Sequence, residues 1–203
     1  MNRFANSDLS EYRNLLFGLP TKKNGPAQQF GTSFHALLLE HILPINITPT
    51  QLKHMQLMRE SVLRNRFART VLETALVEQV QTWIDPITGL PCKALTDIWE
   101  TDTQLIVDVK TTSAQSYSEF LRHCEQYDYD RQTAYYLDGT PQAKRFVILG
   151  VQKKAPYEVF YFEGSACRGF VEGGRKKYRR LLGGIQRDGF TPSSWRPELT
   201  VVV

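Results

Sequence analysis

Cysteine is scarce: Cys92, Cys124 and Cys167 are the whole complement of 203 residues. Odd in number and far apart, they exclude a disulfide framework and a Cys-x-x-Cys metal site, and they fit a reducing, cytoplasmic setting. No apolar run approaches the ~20 residues of a membrane span, so no membrane partner is expected. The opening Met1-Asn-Arg-Phe-Ala-Asn-Ser-Asp lacks the apolar stretch of a signal peptide. Internal repeats and low-complexity segments are also missing. Neither sign of charge dominates: 25 Lys and Arg stand against 21 Asp and Glu, a net charge of +4. That balance permits a polyanionic partner without requiring one.

What is present is ordinary globular usage, 41% hydrophobic and 23% charged. It suffices for a single domain over residues 1–203 with a sizeable core. After a loop-like stretch around Lys22-Lys-Asn-Gly-Pro26, apolar residues at helical spacing predict a helix over 28–43, ended by Pro44. Thr48-Pro-Thr50 caps a second helical region that reaches about Ala75. The period then changes to two. Residues 76–84 read as a strand with Glu78, Val80, Thr82 and Ile84 on one face and Val77, Gln79, Gln81 and Trp83 on the other. Asp85-Pro-Ile-Thr-Gly89 signals a turn, and 92–99 and 104–110 continue an antiparallel meander. Helices over 117–126 and 130–137 follow, then strands over 145–152 and 157–162. A last basic helix spans 165–187, with a kink expected at Gly173-Gly174. The fold class is α/β, a mixed central sheet with an antiparallel meander flanked by helices.

The chemistry concentrates in Thr96-Asp-Ile-Trp-Glu-Thr-Asp-Thr-Gln-Leu-Ile-Val-Asp-Val-Lys-Thr-Thr112. If both apolar segments belong to one hairpin, Asp97 meets Asp108, and Lys110 shares a strand face with Asp108. Chance alone supplies about one acidic-x-Lys triplet at this composition, so the triplet itself decides nothing. Its setting inside Leu-Ile-Val-Asp-Val-Lys does matter, because a buried strand should read apolar. A buried ion pair is the bland explanation. Two adjacent buried carboxylates without a cation would raise at least one pKa and destabilise the fold, and a divalent metal removes that penalty.

Other candidates lie around this centre. Gln132 and Tyr136, four apart on a helix, share a face and can contact water or phosphate, although such pairs are commonly surface residues. His35 sits on an otherwise apolar helix, where histidine is more often a satisfied core residue than a metal ligand. Glu78 either lifts to solvent or aims at the same point. His41, His54 and His123 read as structural or surface. Arg168, Arg175, Lys176, Lys177, Arg179, Arg180 and Arg187 crowd the last segment, as a solvated helix face or as phosphate contacts.

In this order, His35, Glu78, Asp97, Asp108-x-Lys110 and Gln132-x-x-x-Tyr136 resemble the PD-(D/E)XK nuclease superfamily in its RecB-like branch, closest to the RecE-type exodeoxyribonucleases (exonuclease VIII). Gly-Thr-x-x-His35, Asp85-Pro-x-Thr-Gly89, Asp108-Val-Lys-Thr-Thr112 and Tyr129-x-x-Gln132 running into Ala-Tyr-Tyr-Leu-Asp-Gly139 carry the likeness over residues 28–163. The chain departs from it at Leu95, where members commonly have arginine. The clustered C-terminal cysteines of the iron–sulfur branch are missing, and the chain reads as the bare nuclease domain.

The resemblance implies a restriction-endonuclease-like core and a Mg2+-dependent exonuclease, with Mn2+ able to substitute. It would degrade linear double-stranded DNA 5′ to 3′ and leave 3′ single strands for an annealing protein. It further implies a trimeric or tetrameric ring in a phage-type recombination module. In the implied site His35, Asp97, Asp108 and the Val109 carbonyl hold the metal, and Lys110 orients and helps deprotonate water. Glu78 positions water or a second ion, and Gln132 and Tyr136 steady the strand. Arg131, Arg175, Lys176, Lys177, Arg179 and Arg180 are the expected DNA contacts. An endonuclease of the same fold and a non-catalytic DNA-binding scaffold remain alternatives.

Overall fold

The computed structural model describes residues 2–20 and 25–195. Most of the loop expected at 22–26, and the tail from Arg196 to Val203, lie outside the described residues. Five strands form one sheet in chain order: Leu76–Ile84 (β1), Pro91–Glu100 (β2), Leu105–Thr112 (β3), Arg145–Gln152 (β4) and Val159–Glu163 (β5). β1, β2 and β3 are the antiparallel meander, β4 lies parallel to β3, and β5 returns antiparallel. The β1–β2 turn is closed by Asp85, whose carboxylate accepts from the Thr88 backbone N–H at 2.8 Å and hydroxyl at 2.7 Å. Gly89 completes it at φ +69°, a conformation that glycine adopts without penalty.

Helices cover both faces. Asn6–Leu16 (α1), Tyr117–Gln126 (α5), Tyr129–Gly139 (α6) and Arg168–Asp188 (α7) lie on one side; Pro26–Leu39 (α2), Pro49–Arg64 (α3) and Arg66–Thr74 (α4) lie on the other. Each layer makes its own core. Tyr12, Phe120, Tyr135 and Leu182 pack over Ile106, Phe146 and Ile148. Phe34, Met55, Met58 and Val62 pack over Val107, Val109, Val147 and Leu149. Burial on both faces explains why β4 reads as an unbroken apolar run.

Several boundaries differ from the sequence expectation, each for a local reason. α2 ends at Leu39 rather than 43, because His41 turns left-handed at φ +58° and Ile42 N–H donates back to the Ala36 carbonyl. The region expected as one helix to Ala75 is two. Asn65 leaves helical geometry, and its side chain caps α4 by accepting from Ala68 N–H at 3.0 Å. The last helix starts at Arg168, after a 3-10 turn over Gly164–Ala166.

α7 also runs without a break through Gly173-Gly174. A Cβ at Gly174 would sit 1.9 Å from the Asp130 carbonyl oxygen, so this glycine exists to let α7 touch α6. α1 itself carries no expected counterpart, yet it buries Leu9 and Tyr12 completely.

Candidate active site

The site forms where two strands part. β2 and β3 pair only at Ile98↔Val107, Trp99↔Ile106 and Glu100↔Leu105. Beyond these rungs, Asp97 Oδ2 accepts the Val109 N–H at 2.7 Å, filling the opening with a carboxylate instead of a carbonyl. His35, arriving from α2, brings Nε2 to 2.8 Å from the Val109 carbonyl oxygen. Only a protonated Nε2 can donate there, so in the neutral ring Nδ1 keeps its lone pair. That nitrogen faces Asp97 Oδ1 at 3.6 Å.

Glu78 joins them through a strained backbone. It lies in β1 between the paired positions Val77↔Ile98 and Gln79↔Thr96, hence across from Asp97. Its φ is +51°, a region that costs a non-glycine residue on the order of 1–3 kcal/mol. The strain also corrects the expected alternation of β1. Val77 packs in the α2–α4 core, whereas Trp83 packs with Tyr135 in the other, although strict alternation would place both on one face. One ligand atom each from His35, Glu78 and Asp97 lies within 4.8 Å of the others. One imidazole nitrogen and two carboxylates fit a divalent cation. Burial and the neighbouring Asp97 raise the Glu78 pKa, with His35 opposing. A bound cation would offset that cost.

Asp108 and Lys110 stand beside this cluster. Asp108 is 2% exposed. Its Oδ1 accepts from Gln132 Nε2 of α6 at 2.6 Å, and its Oδ2 lies 2.7 Å from Lys110 Nζ. Burial pushes the Asp108 carboxyl up to about 6, against the pull of Lys110. Burial alone would lower Lys110, but the Asp108 and Asp97 carboxylates outweigh it, and its pKa is raised. Lys110 therefore stands as a cation, suited to orienting an anion or water.

Asp108 lies outside the His35–Glu78–Asp97 triplet, its oxygens already engaged, and the Val109 carbonyl is engaged by His35. Gln132 and Tyr136 share one face of α6, and both are buried. Tyr136 packs edge-on to Phe146, and burial raises its hydroxyl pKa.

The expected DNA contacts divide. Arg131 is 2% exposed and binds Asn6 Oδ1 at 3.0 Å and Ser10 Oγ at 2.5 Å. It ties α6 to α1, and burial in these bonds keeps it from DNA; the expectation failed because α1 was not foreseen in the sequence. Arg175 is held by Asp138 and Glu172, and Lys177 bridges Asp128 and Asp130. Arg179 lies 3.8 Å from Asp138 and stacks over Tyr178. Lys176 and Arg180 are exposed and make no ion pair among the described residues.

An open cleft of about 660 Å³ leads to this centre, with His35, Val109 and Lys110 at its floor. Sequence reasoning gave no site role to its far wall of His123, Tyr127 and Tyr129: His123 read as structural or surface, and Tyr129 entered only through the Tyr129-x-x-Gln132 motif. The only signal was two tyrosines flanking the break between α5 and α6.

Fold and site together define a member of the PD-(D/E)XK nuclease superfamily. The chain belongs to the family of PDDEXK-like domains of unknown function (DUF3799), whose model matches residues 21–187. Among solved structures it is similar to a candidate exonuclease from Eubacterium rectale, at 14% identity and a TM-score of 0.65, covering 94% of this chain and 83% of that one. A phage-related exonuclease from Haemophilus somnus 129PT aligns over 93% of this chain and 97% of its own, at 10% identity and a TM-score of 0.46. An alkaline exonuclease from Laribacter hongkongensis aligns over 92% and 93%, at 12% identity and a TM-score of 0.41. No curated protein matches the sequence.

Proposed function

We propose that this protein is a divalent-metal-dependent exodeoxyribonuclease that degrades linear double-stranded DNA. The observation that carries this reading is the convergence of Asp97, Asp108 and Lys110 on the β2–β3 fork, with His35 and Glu78 completing a cation-binding set beside them. A mere structural ion pair would need neither the strained Glu78 nor a histidine with a free nitrogen aimed at Asp97.

His35, Glu78 and Asp97 would hold the metal, with Asp108 in reserve once its partners shift. When bound, Mg2+ or Mn2+ supplies Lewis-acid stabilisation of phosphoryl charge and acidifies a coordinated water. Lys110, anchored by Asp108, orients the attacking water and a non-bridging phosphate oxygen. Gln132 fixes Asp108, while Asp97 holds the Val109 N–H and His35 the Val109 carbonyl, which keeps the floor rigid. Tyr136 backs Gln132 from the same helix face.

Action from the 5′ end, a 3′ single strand handed to an annealing protein, a trimeric or tetrameric ring, and work in the cytoplasm all follow the likeness to RecE-type enzymes. The test uses linear duplex DNA labelled at the 5′ or 3′ end, with Mg2+ or with EDTA, beside a closed circle and the Asp108→Ala variant. Metal-dependent release of the 5′ label, an intact circle and an inactive variant that still binds DNA are expected. A cut circle would point to an endonuclease. Binding without cleavage under any divalent ion would remove the enzyme reading.

A further inference from the structure

The wall of the cleft facing α2 is aromatic, and the chemistry above leaves it unused. His123, Tyr127 and Tyr129 all line it. Each ring neighbours the next, with centroids 5.4 Å apart and planes tilted by 53° from His123 to Tyr127, and 6.0 Å and 43° from Tyr127 to Tyr129. The row ends at the catalytic centre: Lys110 Nζ lies 5.3 Å from the Tyr129 ring centroid. Tyr127 is 52% exposed, a large ring left in water beside the site.

An exposed tyrosine alone means little. Here the backbone is strained in placing it. Asp128, between the two tyrosines, has φ +53°. Its carboxylate is held by Lys177 at 2.8 Å and by Arg13. That left-handed residue turns the chain sharply, so Tyr127 closes α5, Tyr129 opens α6, and both reach the same cleft. Lys153 and Lys110 line the cleft with them.

We propose that His123, Tyr127 and Tyr129 form a stacking platform for unpaired nucleobases, so that the strand to be cut enters the cleft single-stranded. The proposal rests on the nuclease reading of this cleft. Flat rings accept the face of any base, and a positive lining tracks the phosphates; together these are the means by which single strands are held without sequence preference. Consecutive nucleotides rise about 3.4 Å along a stacked strand, so a row of this length takes a few bases. Bases inside a duplex have no free face to offer. The platform therefore selects frayed or overhanging ends over blunt ones.

The test begins without cleavage. A short single strand carrying 2-aminopurine is titrated in EDTA against the wild type, Tyr127→Phe, Tyr127→Leu and Tyr127→Ala. Stacking quenches the probe, and Tyr127→Ala is expected to weaken binding about fivefold to a hundredfold. Tyr127→Phe should match the wild type, and Tyr127→Leu should fall near alanine. The salt dependence should be the same in all four, since no charge changes. Cleavage is then compared on blunt and frayed duplexes with Mn2+: the wild type should favour the frayed end, and Tyr127→Ala should lose that preference.

Binding and quenching by Tyr127→Ala equal to the wild type would overturn the platform. A Tyr127→Phe variant as weak as alanine would assign the effect to the hydroxyl and overturn stacking. If no DNA is cut but quenching is lost in Tyr127→Ala, the platform stands and the nuclease reading falls. If DNA is cut and Tyr127 is indifferent, the reverse holds.

Discussion

Val109 contributes no functional side chain, yet the site hangs on it. Its N–H is held by Asp97 and its carbonyl by His35, so the two peptide groups that flank one Cα join a strand residue and a helix residue into fixed geometry. Around it the donor set is mixed: two carboxylates suit Mg2+ and Mn2+ alike, and an imidazole nitrogen adds a ligand typical of transition metals. A ligand that binds only the folded state raises Tm with its concentration. Added Mn2+ is therefore expected to raise the melting temperature of the wild type, and Glu78→Gln or Asp97→Asn should abolish the rise. Calorimetry with and without the ion checks this. An unchanged rise in both variants would move the cation elsewhere.

At the scale of elements, contacts between neighbours dominate. The α6–α7 pair is locked by Gly174 against the Asp130 carbonyl. Gly174→Ala must push the helices apart, and we expect a loss on the order of 3 kcal/mol in urea unfolding; an unchanged midpoint would contradict the close approach. β4 and β5 are joined by Arg145, whose guanidinium donates twice to Glu163. That hydrogen-bonded pair holds the Glu163 carboxyl down at about 2. A depressed carboxyl stabilises the fold above its ordinary pKa, and the contribution is lost as pH falls through the folded value. Arg145→Met should thus melt below the wild type at pH 6, with the gap closing between about pH 4.5 and 2. Both groups are partly exposed, so the gap should be on the order of 0.5 kcal/mol.

The strands, the meander and the helices after it were legible in the sequence because each follows a clean period bounded by turn residues. The hairpin that carries Asp97 and Asp108 to the same fork was legible too, although only Asp97 joins the cation-binding triplet. What stayed hidden depends on contacts between distant segments. Nothing local to Arg131 reveals that Asn6 and Ser10 occupy it, nor does Gly173-Gly174 reveal a helix packed against it. Glu78 is the sharpest case: alternation placed it on a face, but a left-handed backbone decides where its carboxylate points.

For the molecule as a whole, the basic helix is mostly spoken for. Arg175, Lys177, Arg179 and Arg187 serve ion pairs, which leaves Arg168 at the start of α7, and Lys176 and Arg180 in its middle, as cations without an ion pair among the described residues. Each phosphate contact contributes about 0.9 to the slope of log affinity against log salt on duplex DNA. Replacing both Lys176 and Arg180 with glutamine should lower that slope by about 2, while Arg175→Gln should mainly lower Tm. Binding isotherms at several salt concentrations decide it. An unchanged slope would make α7 a solvated face.

The widest consequence comes from the fork between β2 and β3. The sheet carries two separate cores, one under α2, α3 and α4 and one under α1, α5, α6 and α7. His35 belongs to the first layer, Gln132 to the second, and Asp97, Val109 and Asp108 link the two. The active centre is thus a seam between two halves, and loosening of either half should open it while the other still holds its secondary structure. Activity should then fail at a lower urea concentration than the helical circular dichroism signal, making the enzyme its own most sensitive reporter of unfolding.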